Sequence, residues 1–195
     1  MEQYQSICQH LYEATQIPAL LVAQDGHVGA EWSRFSKTPV PEYGFKIVVQ
    51  DFELQKRDAL HPTIFHIKPG YLFAVAKLDG QLYWVTGLVS PVHRSYEEIF
   101  AAYGQETLFT PEALRTLATG LLNSPLVTLS QLKSAVCLLL YLVHGTMISE
   151  EDILLCNDED RLPIGQPFQA ALFQIRETPE PHITTQLEER IAALV

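Results

Sequence analysis

His61-Pro-Thr-Ile-Phe-His66 sets two imidazoles five residues apart, the most metal-like spacing in the chain. In a strand, an odd separation sends the two rings to opposite faces. In a helix, five steps of about 100° leave them roughly 140° apart, so neither geometry brings both to one ion. As separate groups, either His61 or His66 could act as a general acid or base, given a carboxylate or nucleophile within reach. No local signature supplies that partner. The chain has no G-x-S-x-G, no H-E-x-x-H, no phosphate loop and no dinucleotide fingerprint. Glu150-Glu151-Asp152 reads as an acidic helix start and Asp158-Glu159-Asp160 as a solvated loop, since neither matches the spacing of a calcium loop. No catalytic residue, metal or cofactor is assigned.

The second set with chemical potential is aromatic. Tyr71, Phe73, Tyr83 and Trp84 crowd YLFAVAKL, Asp79-Gly80 and QLYWVTGLV, two β-rich runs around a turn dipeptide that predicts a two-residue hairpin. Tyr71 and Phe73 share a face by period two, while Tyr83 and Trp84 point to opposite faces. One face could line a small-molecule cavity, with the Tyr hydroxyl and Trp N–H as orienting donors. The plainer alternative is an ordinary aromatic core, and the sequence leaves both open. Apolar residues at nearly every position predict a hairpin covered on both faces, near the centre of its sheet. Gly87 reads as a bulge or a close backbone approach.

Composition narrows the class. At 195 residues, 47% hydrophobic and 18% charged, the chain is long enough for one folded domain with a proper core. Its formal charge is −10, and its 13 basic residues are scattered, with Lys56-Arg57 the only adjacent pair. Phosphate neutralisation needs clustered Lys and Arg, so direct binding to nucleic acid is not expected, nor is docking on anionic lipid. The longest apolar run, AVCLLLYLV, has nine residues against the roughly 20 that cross a bilayer. With no secretory leader and three cysteines in no CxxC, Cys8, Cys137 and Cys156 read as reduced thiols of a cytoplasmic protein.

Around the central hairpin the other elements are legible from their starts and stops. Tyr4, Ile7, Cys8, Leu11 and Tyr12 mark an amphipathic helix ended by Pro18, and Asp25-Gly26 turns a first hairpin. Residues 34–44 read as a loop, and KIVVQDF as either a strand or a helical turn. Ser95 to Glu98 and Thr128 to Gln131 are capping boxes, Thr110-Pro111 opens a third helix, and Ser149 caps the turn SEEDILL. FQAALFQIRE reads as a strand or a helix. In PHITTQLEERIAALV, Ile183, Leu187, Ile191 and Leu194 fall on one side of a terminal helix. The order predicts an α+β fold, an antiparallel sheet with flanking helices, followed by a C-terminal linker helix.

LHPTIFHIKPGYLFAVAKLDGQLYWVTGLVSPV, residues 60–92, resembles the central segment of the N-terminal sensor domains of AraC-type bacterial transcriptional regulators. PHITTQLEERIAALV is similar to the helix that leads from such a domain toward its DNA-binding half. The resemblance implies a PAS- or GAF-like sensor over residues 1–178 and an output helix over 179–195. It also implies a homodimer, an unidentified small-molecule effector, and DNA bound through a C-terminal helix-turn-helix domain that these residues do not include. No pocket residue is carried over, because no motif fixes one. The alternatives are a small stand-alone enzyme using His61 or His66, or an interaction module whose acidic surface meets a basic partner.

Overall fold

The computed structural model describes residues 2–33, 61–67, 70–103 and 111–157, the side chains of Tyr103, Ala113, Thr116, Leu117 and Asn157 aside. Several expectations lie outside these residues: the loop at 34–44, KIVVQDF, FQAALFQIRE, the boundary after residue 178, and the terminal helix with Ile183, Leu187, Ile191 and Leu194.

Helix α1 (Glu2–Thr15) stops where the sequence places its end. Gln16 adopts φ 58°, its N–H donates to the Tyr12 carbonyl at 2.7 Å, and its amide Nε2 donates to the Glu13 carbonyl at 3.0 Å. Orphan carbonyls of the last turn are thus satisfied before Pro18. Strands β1 (Ala19–Ala23) and β2 (Val28–Trp32) form the first hairpin. Gly26 at φ 90° donates to the Ala23 carbonyl, the positive φ that favours glycine there. Strands β3 (Thr63–Ile67), β4 (Tyr71–Lys77) and β5 (Leu82–Thr86) follow, then helices α2 (Tyr96–Tyr103), α3 (Pro111–Leu122) and α4 (Leu129–His144), and strand β6 (Leu154–Asn157).

The fold is α+β, with a six-stranded sheet in the order β2-β1-β5-β4-β3-β6 and helices packed on it. The expected central hairpin, β4–β5, does occupy the middle of the sheet. Two details differ from the sequence reading. The sheet is mixed rather than antiparallel, because β6 pairs parallel to β3, Thr63 opposite Leu154 and His66 opposite Asn157. Parallel pairing needs a long crossover, and here the chain passes through three helices before it returns. LLCN thus overlaps the end of the stretch read as a turn: Ser149 does organise that turn, its N–H donating to Asp152 Oδ2 at 2.8 Å, but the strand begins immediately after.

The second difference is the length of the Asp79-Gly80 turn. Leu78 N–H donates to the Leu82 carbonyl, leaving Asp79, Gly80 and Gln81 as a three-residue loop. Asp79 Oδ1 accepts from the N–H groups of Gln81 and Leu82 at 2.9 and 3.0 Å, so the aspartate side chain closes the wider turn. Beyond Val85 the β4–β5 ladder is continued by a side chain: Ala74 N–H donates to Thr86 Oγ1 at 2.7 Å. Gly87 N–H turns away to the Pro18 carbonyl at 2.8 Å, and a Cβ at Gly87 would lie 2.9 Å from Pro18 Cβ. The close approach read from Gly87 is therefore to the residue that ends α1.

Both capping boxes form. Glu98 N–H donates to Ser95 Oγ at 3.2 Å while Ser95 N–H donates to Glu98 Oε2 at 2.8 Å, and Thr128 with Gln131 repeats the arrangement at α4. Gly145, at φ 68°, ends α4 by donating to the Tyr141 carbonyl. Gly87→Ala forces methyl against ring where neither backbone can retreat. It is expected to cost about 1–3 kcal/mol in urea unfolding, and an unchanged midpoint would mean that the Pro18 contact yields freely.

Candidate functional site

The central hairpin separates two packed layers, and the aromatic residues divide between them. Tyr71, Phe73 and Tyr83 project to one face with Val75 and Val85, under Ile99 of α2 and Leu114, Ala118 and Leu121 of α3. Trp84 projects to the other face with Leu72, Ala74 and Ala76, under Cys8 and Leu11 of α1 and Leu132, Val136 and Leu139 of α4. The structure therefore brings three of the four aromatics together and sets Trp84 apart, as their spacing required.

Each aromatic is buried. The Phe73 ring stacks on Phe65 from β3 with centroids 4.7 Å apart and planes 17° off parallel. Tyr71 donates its hydroxyl to the Leu121 carbonyl at 3.0 Å, tying β4 to the last turn of α3. Lys77 holds its Nζ 5.8 Å from the Tyr83 ring centroid, a cation over the face of the ring at the mouth of the hairpin. Trp84 is 1% exposed, and its indole N–H has no hydrogen-bond partner among the described residues. These contacts make the aromatic set a framework in which the Tyr71 hydroxyl and the Trp84 N–H open onto opposite layers.

The two histidines are not brought together. His61 precedes β3 and is exposed; His66, in the sheet between buried Phe65 and Ile67, is also exposed. Among the described residues, no group of three or more His, Cys, Asp or Glu side chains is placed to hold a metal ion.

A polar corner that spacing could not reveal lies at the start of β4. Gly70, at φ 106°, sits beneath the Arg94 guanidinium, which a Cβ at that position would overlap. Arg94 Nη1 lies 3.7 Å from Glu98 Oε1, and its Nε is buried without a partner among the described residues. Burial pushes the Tyr71 hydroxyl up to about 12, with the nearby positive charge of Arg94 opposing the shift and Glu98 adding to it. An isolated arginine gives no sequence signal. Only the Glu98 of the α2 capping box, four residues on, hinted at its partner.

No family model and no curated protein matches the sequence. Among solved structures, the chain is similar to one described as MglB with tetrameric arrangement, with 13% identity over 74% of this chain and 90% of that chain and a TM-score of 0.37. No helix among the described residues is long and apolar enough to cross a membrane.

Two outcomes follow for this site. Phe73→Ala removes a stacked ring from a layer without solvent access and should lower the unfolding free energy by about 3–5 kcal/mol; a loss below 1 kcal/mol in denaturant titration would mean that the site refills. The second concerns alkaline pH. An unfolded tyrosine ionises near 10, whereas Tyr71 in the fold is raised to about 12. Its neutral form is therefore favoured by folding: the contribution is complete below pH 10 and is lost as pH rises toward 12. Tyr71→Phe should show a shallower decline in stability between pH 9 and 12 than the wild type, and identical slopes would exclude Tyr71 as a source.

Proposed function

We propose that the chain is the signal-sensing regulatory and dimerisation domain of an AraC-type transcriptional regulator, acting in the cytoplasm without catalysing a reaction. DNA would be bound through a helix-turn-helix half outside these 195 residues, consistent with the net charge of −10 on this part. The observation that carries the reading is the position of the segment with the resemblance. Residues 61–67 and 70–92 supply β3, β4 and β5, three adjacent strands at the heart of the sheet, with helices packed against both faces.

A sensor needs two arrangements whose populations an effector can bias, and it can bias them only through different affinity for the two. The layer holding Tyr71 and Arg94 supplies groups for such a difference: a phenol fixed to α3, and a guanidinium at its edge beside α2. An effector that engages Arg94 would pull on the start of β4 and on the first turn of α2 together. The coding sequence downstream of Val195 is expected to continue into a pair of helix-turn-helix motifs, and a frame that closes without them sinks the reading. A thermal-shift screen of small metabolites should find a stabilising compound, since a ligand at 100 times its dissociation constant adds about 2.7 kcal/mol.

A further inference from the structure

Arg94 is a largely buried cation whose donors the fold leaves unmet. Its side chain is 20% exposed, and Glu98 Oε1, 3.7 Å from Nη1, stands beyond hydrogen-bond length. The other oxygen of that carboxylate is already engaged, accepting from Ser95 N–H at 2.8 Å. Nε is covered and meets no acceptor among the described residues. A guanidinium has five N–H donors and keeps its charge, so withdrawing it from water is costly unless other acceptors replace the water. Gly70 decides which part of the group remains usable. A Cβ at Gly70 would overlap Nη2 while standing 3.1 Å from Cζ and 3.8 Å from Nε. For a planar guanidinium those distances put the Cβ above the plane at Nη2, not in line with an N–H bond. The glycine therefore supports the flat face and does not close the Nε–Nη2 edge, whose two parallel donors match the two oxygens of a carboxylate.

We propose that the Nε–Nη2 edge of Arg94 binds the carboxylate of a small monoanionic effector. Charge selects the monoanion. Glu98 stays beside Nη1, so a carboxylate brings one negative charge toward it, whereas a dianion brings two for the same pair of donors. The unmet Nε–H supplies the bias that sensing needs. The unliganded arrangement carries the cost of a covered, unpaired donor and the liganded one does not, which is a difference in affinity between two states. To reach the ligand, the guanidinium has to turn its covered edge outward and lift from Gly70. Gly70 immediately precedes β4, and Arg94 immediately precedes Ser95, whose hydroxyl caps α2. Binding therefore changes the contact between the start of a central strand and the first turn of a helix that packs on its layer.

This names the effector chemistry of the sensing reading and rests on it, but the two fail separately, since the downstream reading frame decides the class of protein whatever Arg94 binds. The probe is acetate, titrated into the full chain against sodium chloride of matched ionic strength at about pH 6, where it is ionised. The readout is the Arg94 Nε–H signal in a proton–nitrogen correlation spectrum, assigned by its absence from Arg94→Lys. That signal should shift and saturate with a Kd of about 1–10 mM, the range a four-atom ligand reaches. Sulfate, a dianion, and acetamide, the same shape without charge, should both bind more weakly than acetate. Arg94→Lys keeps the charge without the planar edge and should weaken acetate at least tenfold. Glu98→Gln preserves the capping box and removes the charge beside Nη1, so it should tighten acetate about threefold. Acetate should likewise raise the melting temperature of the wild type and leave that of Arg94→Lys in place. An Arg94 signal unmoved by about 100 mM acetate overturns the proposal, because a site that weak selects nothing. So does equal binding in Arg94→Lys, sulfate binding more tightly than acetate, or a Glu98→Gln variant that binds acetate no better than the wild type.

Discussion

Everything in this fold leans on burying the β4–β5 hairpin from both sides. Along Tyr71–Ala76 and Leu82–Thr86 every residue is buried, so the alternation that normally turns one face of an antiparallel pair to solvent is absent. Such a hairpin cannot remain in water, and two layers of helix must close over it. The layers differ in how they hold. On one side rings stack and a phenol reaches a helix carbonyl, a directional contact between Tyr71 and Leu121. On the other, Leu132, Val136 and Leu139 pack over alanines and Trp84, where fit alone sets the position.

That asymmetry organises the surface as well. The layer with directional contacts also has the polar corner of Gly70, Arg94 and Glu98, where charge is held near a buried hydroxyl. Small side chains at Ala74 and Ala76 let α4 lie over the other face, its inner stripe buried against the sheet. Having used that stripe on the sheet, α4 still has Leu138, Tyr141 and Leu142 facing outward.

Much of this was legible in the residues because local chemistry and final structure agree. Ser95 with Glu98 and Thr128 with Gln131 start helices through bonds spanning three residues, and nothing distant has to be known to read them. The shared face of Tyr71 and Phe73, and the opposite faces of Tyr83 and Trp84, follow from strand geometry alone. Where the reading failed, the deciding partner lay far off in the chain. Whether Leu154–Asn157 forms a strand depends on β3, and the parallel pairing has no turn to announce it. Asp79-Gly80 suggested a two-residue turn, but the Asp79 carboxylate found two backbone donors and favoured the longer loop. Arg94 was invisible because its significance comes from Gly70, whose lack of a side chain admits the guanidinium.

The pairing of β6 with β3 also sets a timetable. Antiparallel β4 can join β3 almost as soon as both have been made, but the other edge of β3 waits for residues 154–157. Roughly 90 residues lie between, and at a synthesis rate of about 5–20 residues per second that is an interval of about 5–20 s. Through it, a strand reading Thr-Ile-Phe-His-Ile presents unpaired amides and carbonyls beside neighbouring nascent chains, the condition under which strand edges associate wrongly. The exposed imidazole of His66 is a polar group on β3 that makes such pairing less favourable until β6 arrives.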